Sequence, residues 1–174
     1  ANVTIQCGES TLAENTGTMT INSSCDPEIF TDVSDAIIPG NCIQSYTIQR
    51  TWVVIDHCDN EIECTQTIEV VVTEAPVITC PTVVSPIECS ATPEFGEATA
   101  TDGCDGNLYI SSVTDTISAG CGLGYTLIRT WTAIDDCGNS AQCSATIVVQ
   151  DNLAPVINCP VVVSPIQCGQ TPSF

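Results

Sequence analysis

The 174-residue chain contains no lysine, a single histidine at His57, and only two arginines, Arg50 and Arg129. Each shortage excludes something. Without lysine no Lys–Asn isopeptide staple can form, and no lysine amine is present for base catalysis. His57 is matched by Asp136 in the second half of the chain, so no Ser-His pair recurs, and no Gly-rich phosphate loop is present. An enzyme is therefore not expected. No apolar run approaches the roughly 18 residues of a membrane-spanning helix, and no basic segment opens the chain. The expectation is a mature, exported, soluble segment with no membrane insertion.

Positive charge is scarce while acid is abundant: 21 Asp and Glu give a formal net charge of −19. Nucleic acid and anionic membrane surfaces are excluded as partners. Self-repulsion on this scale costs stability unless salt or bound cations screen it, which suits a saline or calcium-containing medium. Equally, a surface of Asp, Glu, Ser and Thr keeps a long molecule soluble and extended.

Cysteine is the residue in excess, at 13. Cys25, Cys42, Trp52, Cys58, Cys64, Cys80 and Cys89 recur as Cys104, Cys121, Trp131, Cys137, Cys143, Cys159 and Cys168, each 79 residues later. The chain is thus a tandem repeat, and arrays of one folded unit usually do mechanical or adhesive work. Cys7 precedes Cys89 by 82 residues, so the first copy carries three extra residues before Cys25, as a loop or turn insertion. The boundaries expected are residues 1–75 for a first module with a truncated start, 76–154 for a second, and 155–174 for the opening strand of a third. A stub of that size cannot bury a core, so the expectation is a longer natural chain, with the odd cysteine a product of truncation. The spacings C-x5-C and C-x8-C, with no CxxC, argue against zinc and for disulfides in an oxidising, extracellular or cell-surface setting.

The secondary structure reads as β throughout. Tyr46-Thr-Ile-Gln-Arg-Thr-Trp-Val-Val-Ile-Asp56 and Tyr125-Thr-Leu-Ile-Arg-Thr-Trp-Thr-Ala-Ile-Asp135 alternate as central strands. Asp136-Cys-Gly-Asn-Ser140 predicts the turn of a hairpin running into Cys143. Met19 and Ile21, matching Ala98 and Ala100, predict a half-buried strand in each copy. No helical stripe of useful length is present. The fold class expected is all-β: tandem, disulfide-stapled immunoglobulin-like sandwiches.

Arg129-Thr-Trp-Thr-Ala-Ile-Asp-Asp-Cys-Gly-Asn-Ser-Ala-Gln-Cys143, followed by Ala154-Pro-Val-Ile-Asn-Cys-Pro160, resembles the hyalin-repeat (HYR)-like modules found in tandem in large exported surface proteins of Bacteroidetes-type bacteria. The resemblance covers the whole chain. The first copy departs from it at Asp59, where glycine is the pattern, and at Val72-Thr73, where the second has Asp151-Asn152. The resemblance implies an immunoglobulin-like fold, an adhesin, gliding-motility protein or stalk, and no enzymatic activity.

Six cysteines allow 15 pairings. The most economical scheme joins Cys58 to Cys64 and Cys137 to Cys143 across the last hairpin, Cys25 to Cys42 and Cys104 to Cys121 around the middle loop, and Cys80 to Cys89 and Cys159 to Cys168 at the entrance. The entrance pair requires the chain to fold back, and Ser85-Pro86 is where it can bend. If Cys80 instead reaches the final hairpin of its own module, Cys89 needs another partner. Arg50 and Arg129 are expected to be structural, stacking beside Trp52 and Trp131 and pairing with a carboxylate such as Asp102; a ligand-binding role for the two arginines is the alternative. Asp102, Asp105, Asp135 and Asp151 could supply oxygens to Ca²⁺, although tight turns select the same residues. Asn2, Asn22 and Asp115 open short glycosylation-like motifs.

The function expected is a structural segment of a long extracellular array, an adhesin, stalk or filament, whose partners are neighbouring copies in the same chain. The alternatives are a calcium-dependent module binding surface glycan or protein, and a fibre subunit that self-assembles by donating its terminal strand.

Overall fold

β-branched and aromatic alternation turns most of the described chain into strands. The computed structural model describes residues 2–22, 28–104, 106–118, 124–159 and 168. In chain order the elements are β1 (Val3–Gln6), α1 (Ala13–Thr16), β2 (Ile29–Pro39), β3 (Tyr46–Asp56), β4 (Glu61–Val71), β5 (Val77–Thr79), β6 (Ile87–Glu88), β7 (Thr99–Thr101), β8 (Tyr109–Ser118), β9 (Tyr125–Ile134) and β10 (Ser140–Gln150). α1, a single helical turn, falls in the stretch where the first copy carries its three extra residues.

Two four-stranded sheets have the same plan, β1-β4-β3-β2 and β6-β10-β9-β8, and β5 and β7 form a two-stranded sheet. β1 runs parallel to β4 and β6 parallel to β10, while the remaining pairs are antiparallel. A long hairpin at the sheet centre, flanked by a short strand parallel to its last member, is the plan of one layer of an immunoglobulin-like sandwich. The chain is all-β and disulfide-stapled.

The two hairpin turns are built alike. Asp135 Oδ1 accepts the backbone N–H groups of Cys137 and Asn139 at 3.0 and 2.7 Å, and its Oδ2 accepts Asn139 Nδ2 at 2.7 Å. Asp56 does the same for Cys58 and Asn60 at 2.9, 2.9 and 2.7 Å. Gly138 takes φ 90°, and Asp59 meets the same demand at φ 63°. Asp tolerates the left-handed region better than most side chains, so the departure from glycine leaves the turn intact.

The core follows the period of two. Ile68 and Val70 on β4 and Ile147 and Val149 on β10 are buried, with exposed Glu69 and Val148 between them. Trp131 and Ala133 on β9 are buried as well. Val33, Ile37, Val113 and Ile117 on the edge strands β2 and β8 are exposed.

The strand expected around Met19 and Ile21 forms only in the second copy. There β7 pairs with β5, placing Ile78 opposite Ala100, and Ala98 is buried. Residues 18–22 form no strand. A strand requires a ladder partner for its backbone N–H and C=O groups, and nothing in the described chain stands beside residues 18–22 as β5 stands beside β7.

Arg50 is buried, 7% exposed, inside the first sheet. It grips Asp35 from the neighbouring strand with two bonds of 2.8 Å, from Nε and Nη2, and Nη1 donates to Thr16 Oγ1 at 3.3 Å. In the second copy Asp35 is matched by Thr114. Arg129 Nε donates to Thr114 Oγ1 at 2.8 Å, and the guanidinium lies 4.6 Å from the Phe95 ring centroid and 6.0 Å from that of Trp131. One copy thus holds its arginine by charge and the other by ring faces. Asp102, expected as the carboxylate, accepts the N–H of Cys104 at 2.7 Å.

The Arg50 bond holds the Asp35 carboxyl below its ordinary value, with the guanidinium charge adding to it against the cost of burial. A carboxylate depressed in the fold contributes stability above its unfolded value of about 4, and the contribution is lost as pH falls through the folded value. Asp35 is 38% exposed, so solvent screens the pair and its worth is about 1 kcal/mol. Asp35→Asn is expected to lower the melting temperature at pH 7 by a few degrees and to lose its effect near pH 2. A difference from wild type that is the same at both pH values would exclude this pair as the cause.

Candidate functional site

The features that set this chain apart lie where the two sheet-bearing halves meet. β1 carries the chain beside the end of β4, and Cys7 N–H donates to Val71 O at 3.0 Å. Gln6 then clamps the connection: its Nε2 donates to Thr73 Oγ1 at 2.5 Å and its Oε1 accepts Thr73 N–H at 3.4 Å. Asn139, from the turn between β9 and β10, reaches across to donate Nδ2 to Val72 O at 3.1 Å. Val72 and Pro76 are buried.

Two disulfides close over this connection. Cys7 bonds to Cys104, with Cα atoms 5.8 Å apart, and Cys42 to Cys137, with Cα atoms 5.1 Å apart. Both join one repeat to the other. A third, Cys80 to Cys143 with Cα atoms 5.7 Å apart, ties β5 to β10 within the second repeat. Gly40 presents the Cys42 loop, and its N–H donates to Ser45 O at 2.8 Å. A Cβ at Gly40 would collide with the Ser45 side chain and backbone.

This pairing replaces the economical scheme. Trp131 lies opposite Cys143 in the ladder, and Cys137 sits in the turn beyond the strand ends, so the two cysteines do not face one another. Trp52, Cys64 and Cys58 repeat that geometry, and Cys58 and Cys64 are unpaired and exposed. Cys80 follows the β5-β7 pair while Cys89 follows β6 on the sheet of β10, so the expected entrance pair does not form. Cys80 instead reaches the final hairpin, leaving Cys89 unpaired. Cys42 and Cys104 are taken by Cys137 and Cys7, which displaces the middle-loop pairs; Cys25 and Cys121 lie outside the described residues. Cys159 and Cys168 are unpaired and exposed.

Equivalent cysteines of the two repeats are not bonded alike. Unpaired Cys58, Cys64, Cys89 and Cys159 are the repeat equivalents of bonded Cys137, Cys143, Cys7 and Cys80.

The acidic residues weighed as calcium ligands are engaged in turns. Asp135 is 5% exposed and accepts the three bonds described above. Asp102 holds the N–H of Cys104, and Asp151 Oδ1 accepts that of Leu153 at 3.2 Å. Asp105 lies outside the described residues. Among the described residues no three His, Cys, Asp or Glu side chains converge on a metal position.

A groove of about 500 Å³ opens in the first repeat between residues 18–22 and the start of β4, lined by Trp52, Val54, Ile62, Cys64 and Gln66. Gln66 is buried; its Nε2 donates to Thr16 O at 2.6 Å, while its Oε1 has no partner. The corresponding position in the second repeat is filled. Trp131 is 2% exposed, with Phe95 edge-on at 5.9 Å.

No family model matches the chain, and no curated protein sequence matches it. Among solved structures it is similar to protocadherin gammaB7 EC3-6 in a cis-dimer (18% identity, TM-score 0.33, 62% of this chain and 32% of that one). It is similar also to the extracellular cadherin domains 1-5 of protocadherin gamma B2 (10% identity, TM-score 0.33, 70% and 32%) and to the extracellular domain of protocadherin gammaB4 (15% identity, TM-score 0.33, 70% and 26%). The chain spans about a third of the length of the first of these. Among the described residues no helix is long and apolar enough to cross a membrane.

The bonding of Asp135 leads to a direct expectation. Asp135→Ala strands three donors at the junction turn and should cost about 2 to 4 kcal/mol. Thermal melts with and without EGTA should show the same loss. A loss that vanishes in EGTA would make Asp135 a metal ligand instead of a turn acceptor.

Proposed function

We propose that the chain is a segment of an extracellular structural array, a stalk, adhesin or filament, built from immunoglobulin-like modules at residues 1–75 and 76–154 with residues 155–174 opening a further copy. The reading rests on one observation: two disulfides cross between the repeats. A bond that closes within one module stabilises that module alone. Bonds that cross a junction resist bending and extension of the whole, which is what a load-bearing array requires.

Several features support it. Disulfides at this density belong to oxidising compartments, hence outside the reducing cytosol. Loops of 97 and 95 residues are each worth about 4 to 5 kcal/mol in the chain-entropy account, which offsets the self-repulsion of a −19 chain. The junction clamp is repeated at the far end of the second module, where Glu88 Oε2 accepts the N–H of Asn152 at 3.1 Å, as Gln6 holds Thr73. The likeness of its motifs to HYR-like modules of Bacteroidetes-type surface proteins agrees with this role. Neither arginine is offered to a ligand: Arg50 is buried against Asp35, and Arg129 lies against Phe95.

Single-molecule pulling tests the reading. The oxidised chain has bridges that carry force past most of its residues, so reduction is expected to add roughly 300 to 400 Å of contour at about 3.5 Å per residue. An extension that does not change on reduction would remove the mechanical role.

A further inference from the structure

We propose that β8 is a docking edge for β8 of a second copy of this chain: the two strands pair antiparallel about a two-fold axis at Val113 and join two four-stranded sheets into one of eight strands. The proposal adds lateral association to the array reading and does not depend on it.

β8 ends its sheet. β9 pairs with one side of it from Tyr109 to Ser118, and among the described residues nothing pairs with the other side. Every strand of that sheet lies within residues 87–150, so the open edge is independent of where the chain starts and stops. The backbone N–H and C=O groups along an edge are a template for another strand, which proteins usually blunt with lysine, proline, a bulge or a short strand. β8 uses none of these. It is ten residues long, pairs with β9 in unbroken register, has no proline, and carries one charge, Asp115.

Charge decides which edge and which occupant. β8, β9 and β10 carry one acid, Asp115, and one arginine, Arg129, whereas β2, β3 and β4 carry six acids and one arginine. The outer face shows the exchange: Glu61, Glu63 and Glu69 of β4 are matched by Ser140, Gln142 and Val148 of β10. In a chain of formal charge −19 the second sheet is therefore neutral ground, and two copies repel least when they meet there. A basic partner would gain more on the acidic first sheet, so the neutral edge fits a copy of equal charge.

The strand is also complementary to itself. Tyr109, Val113 and Ile117, at 68%, 66% and 56% exposure, lie on one face of β8. With the axis at Val113, Tyr109 stands opposite Ile117, Ser111 opposite Asp115, and Val113 opposite its own copy. An aromatic residue against a β-branched one is a favourable cross-strand pair. The Ser111 hydroxyl is placed to donate to the Asp115 carboxylate, and no like charges face each other. An axis at Asp115 would set the two carboxylates against one another, and one at Thr114 would leave Tyr109 without a partner in the strand. The contact is isologous and closes at the dimer.

A single strand pair buries less than the roughly 1,200 Å² of standard interfaces, so the dimer is weak and is sought by sedimentation equilibrium up to about 1 mM. The oxidised chain is used, with its free thiols alkylated. A reversible dimer of twice 18.2 kDa is expected. Val113→Lys and Val113→Asp each set like charges opposite one another and should weaken it at least about tenfold. An equimolar mixture of the two variants should recover association to within about threefold of wild type, because opposite charges then meet at the axis. Ser34→Asp, at the equivalent position on β2, should leave the dimer unchanged and controls for added charge. A monomer throughout the range, a dimer unmoved by Val113→Lys, a mixture no tighter than either variant alone, or an equal loss in Ser34→Asp would each overturn the proposal. Extension under force is read on single chains, so the array reading can survive its failure.

Discussion

The pair of disulfides that cross from one repeat to the other, Cys7–Cys104 and Cys42–Cys137, is the constraint on which the arrangement depends. Each sheet buries little: a few residues on β4 and β10, one tryptophan, and an arginine held by its neighbours. Small modules of this kind are marginal on core burial alone, and a formal charge of −19 works against compaction. Covalent bonds over the connection reduce the freedom of the unfolded chain, and they fix one half against the other in the folded one. The Gln6 clamp on Thr73 and the Asn139 bond to Val72 then only have to align what the sulfur bridges already hold together.

The two repeats solve one packing problem with different chemistry. At the centre of each sheet an arginine needs partners for its guanidinium, buried at Arg50 and half-buried at Arg129. In the first repeat Asp35 supplies a carboxylate; in the second, Thr114 supplies a hydroxyl and Phe95 a ring face. Phe95 also covers Trp131, so the second repeat gains a filled core where the first keeps an open groove.

Much of the fold was legible in the residues. The alternation in Tyr46-Thr-Ile-Gln-Arg-Thr-Trp and its counterpart at Tyr125 announced β3 and β9, and the Asp-Asn turn announced the hairpins to β4 and β10. Local pattern carries that information because strand alternation and turn chemistry are local. The pairing of cysteines was not legible, since it depends on which chain segments cross in space: Cys137 is close to Cys143 in sequence, yet it stands in a turn while Cys143 lies within the strand. The partner of Arg50 was missed for the same reason; Asp35 is 15 residues away but directly opposite in the ladder. The strand expected at Met19 and Ile21 had the right alternation and lacked a neighbour to pair with, so pattern alone could not make it a strand.

The arrangement stands or falls on which cysteines are joined across the repeats. Proteolysis of the chain under non-reducing, thiol-blocked conditions, followed by mass spectrometry of the linked peptides, addresses it directly. The expected peptides join Cys7 to Cys104 and Cys42 to Cys137, each containing sequence from both repeats. Peptides joining Cys25 to Cys42 and Cys137 to Cys143, with every bond confined to one repeat, would contradict it.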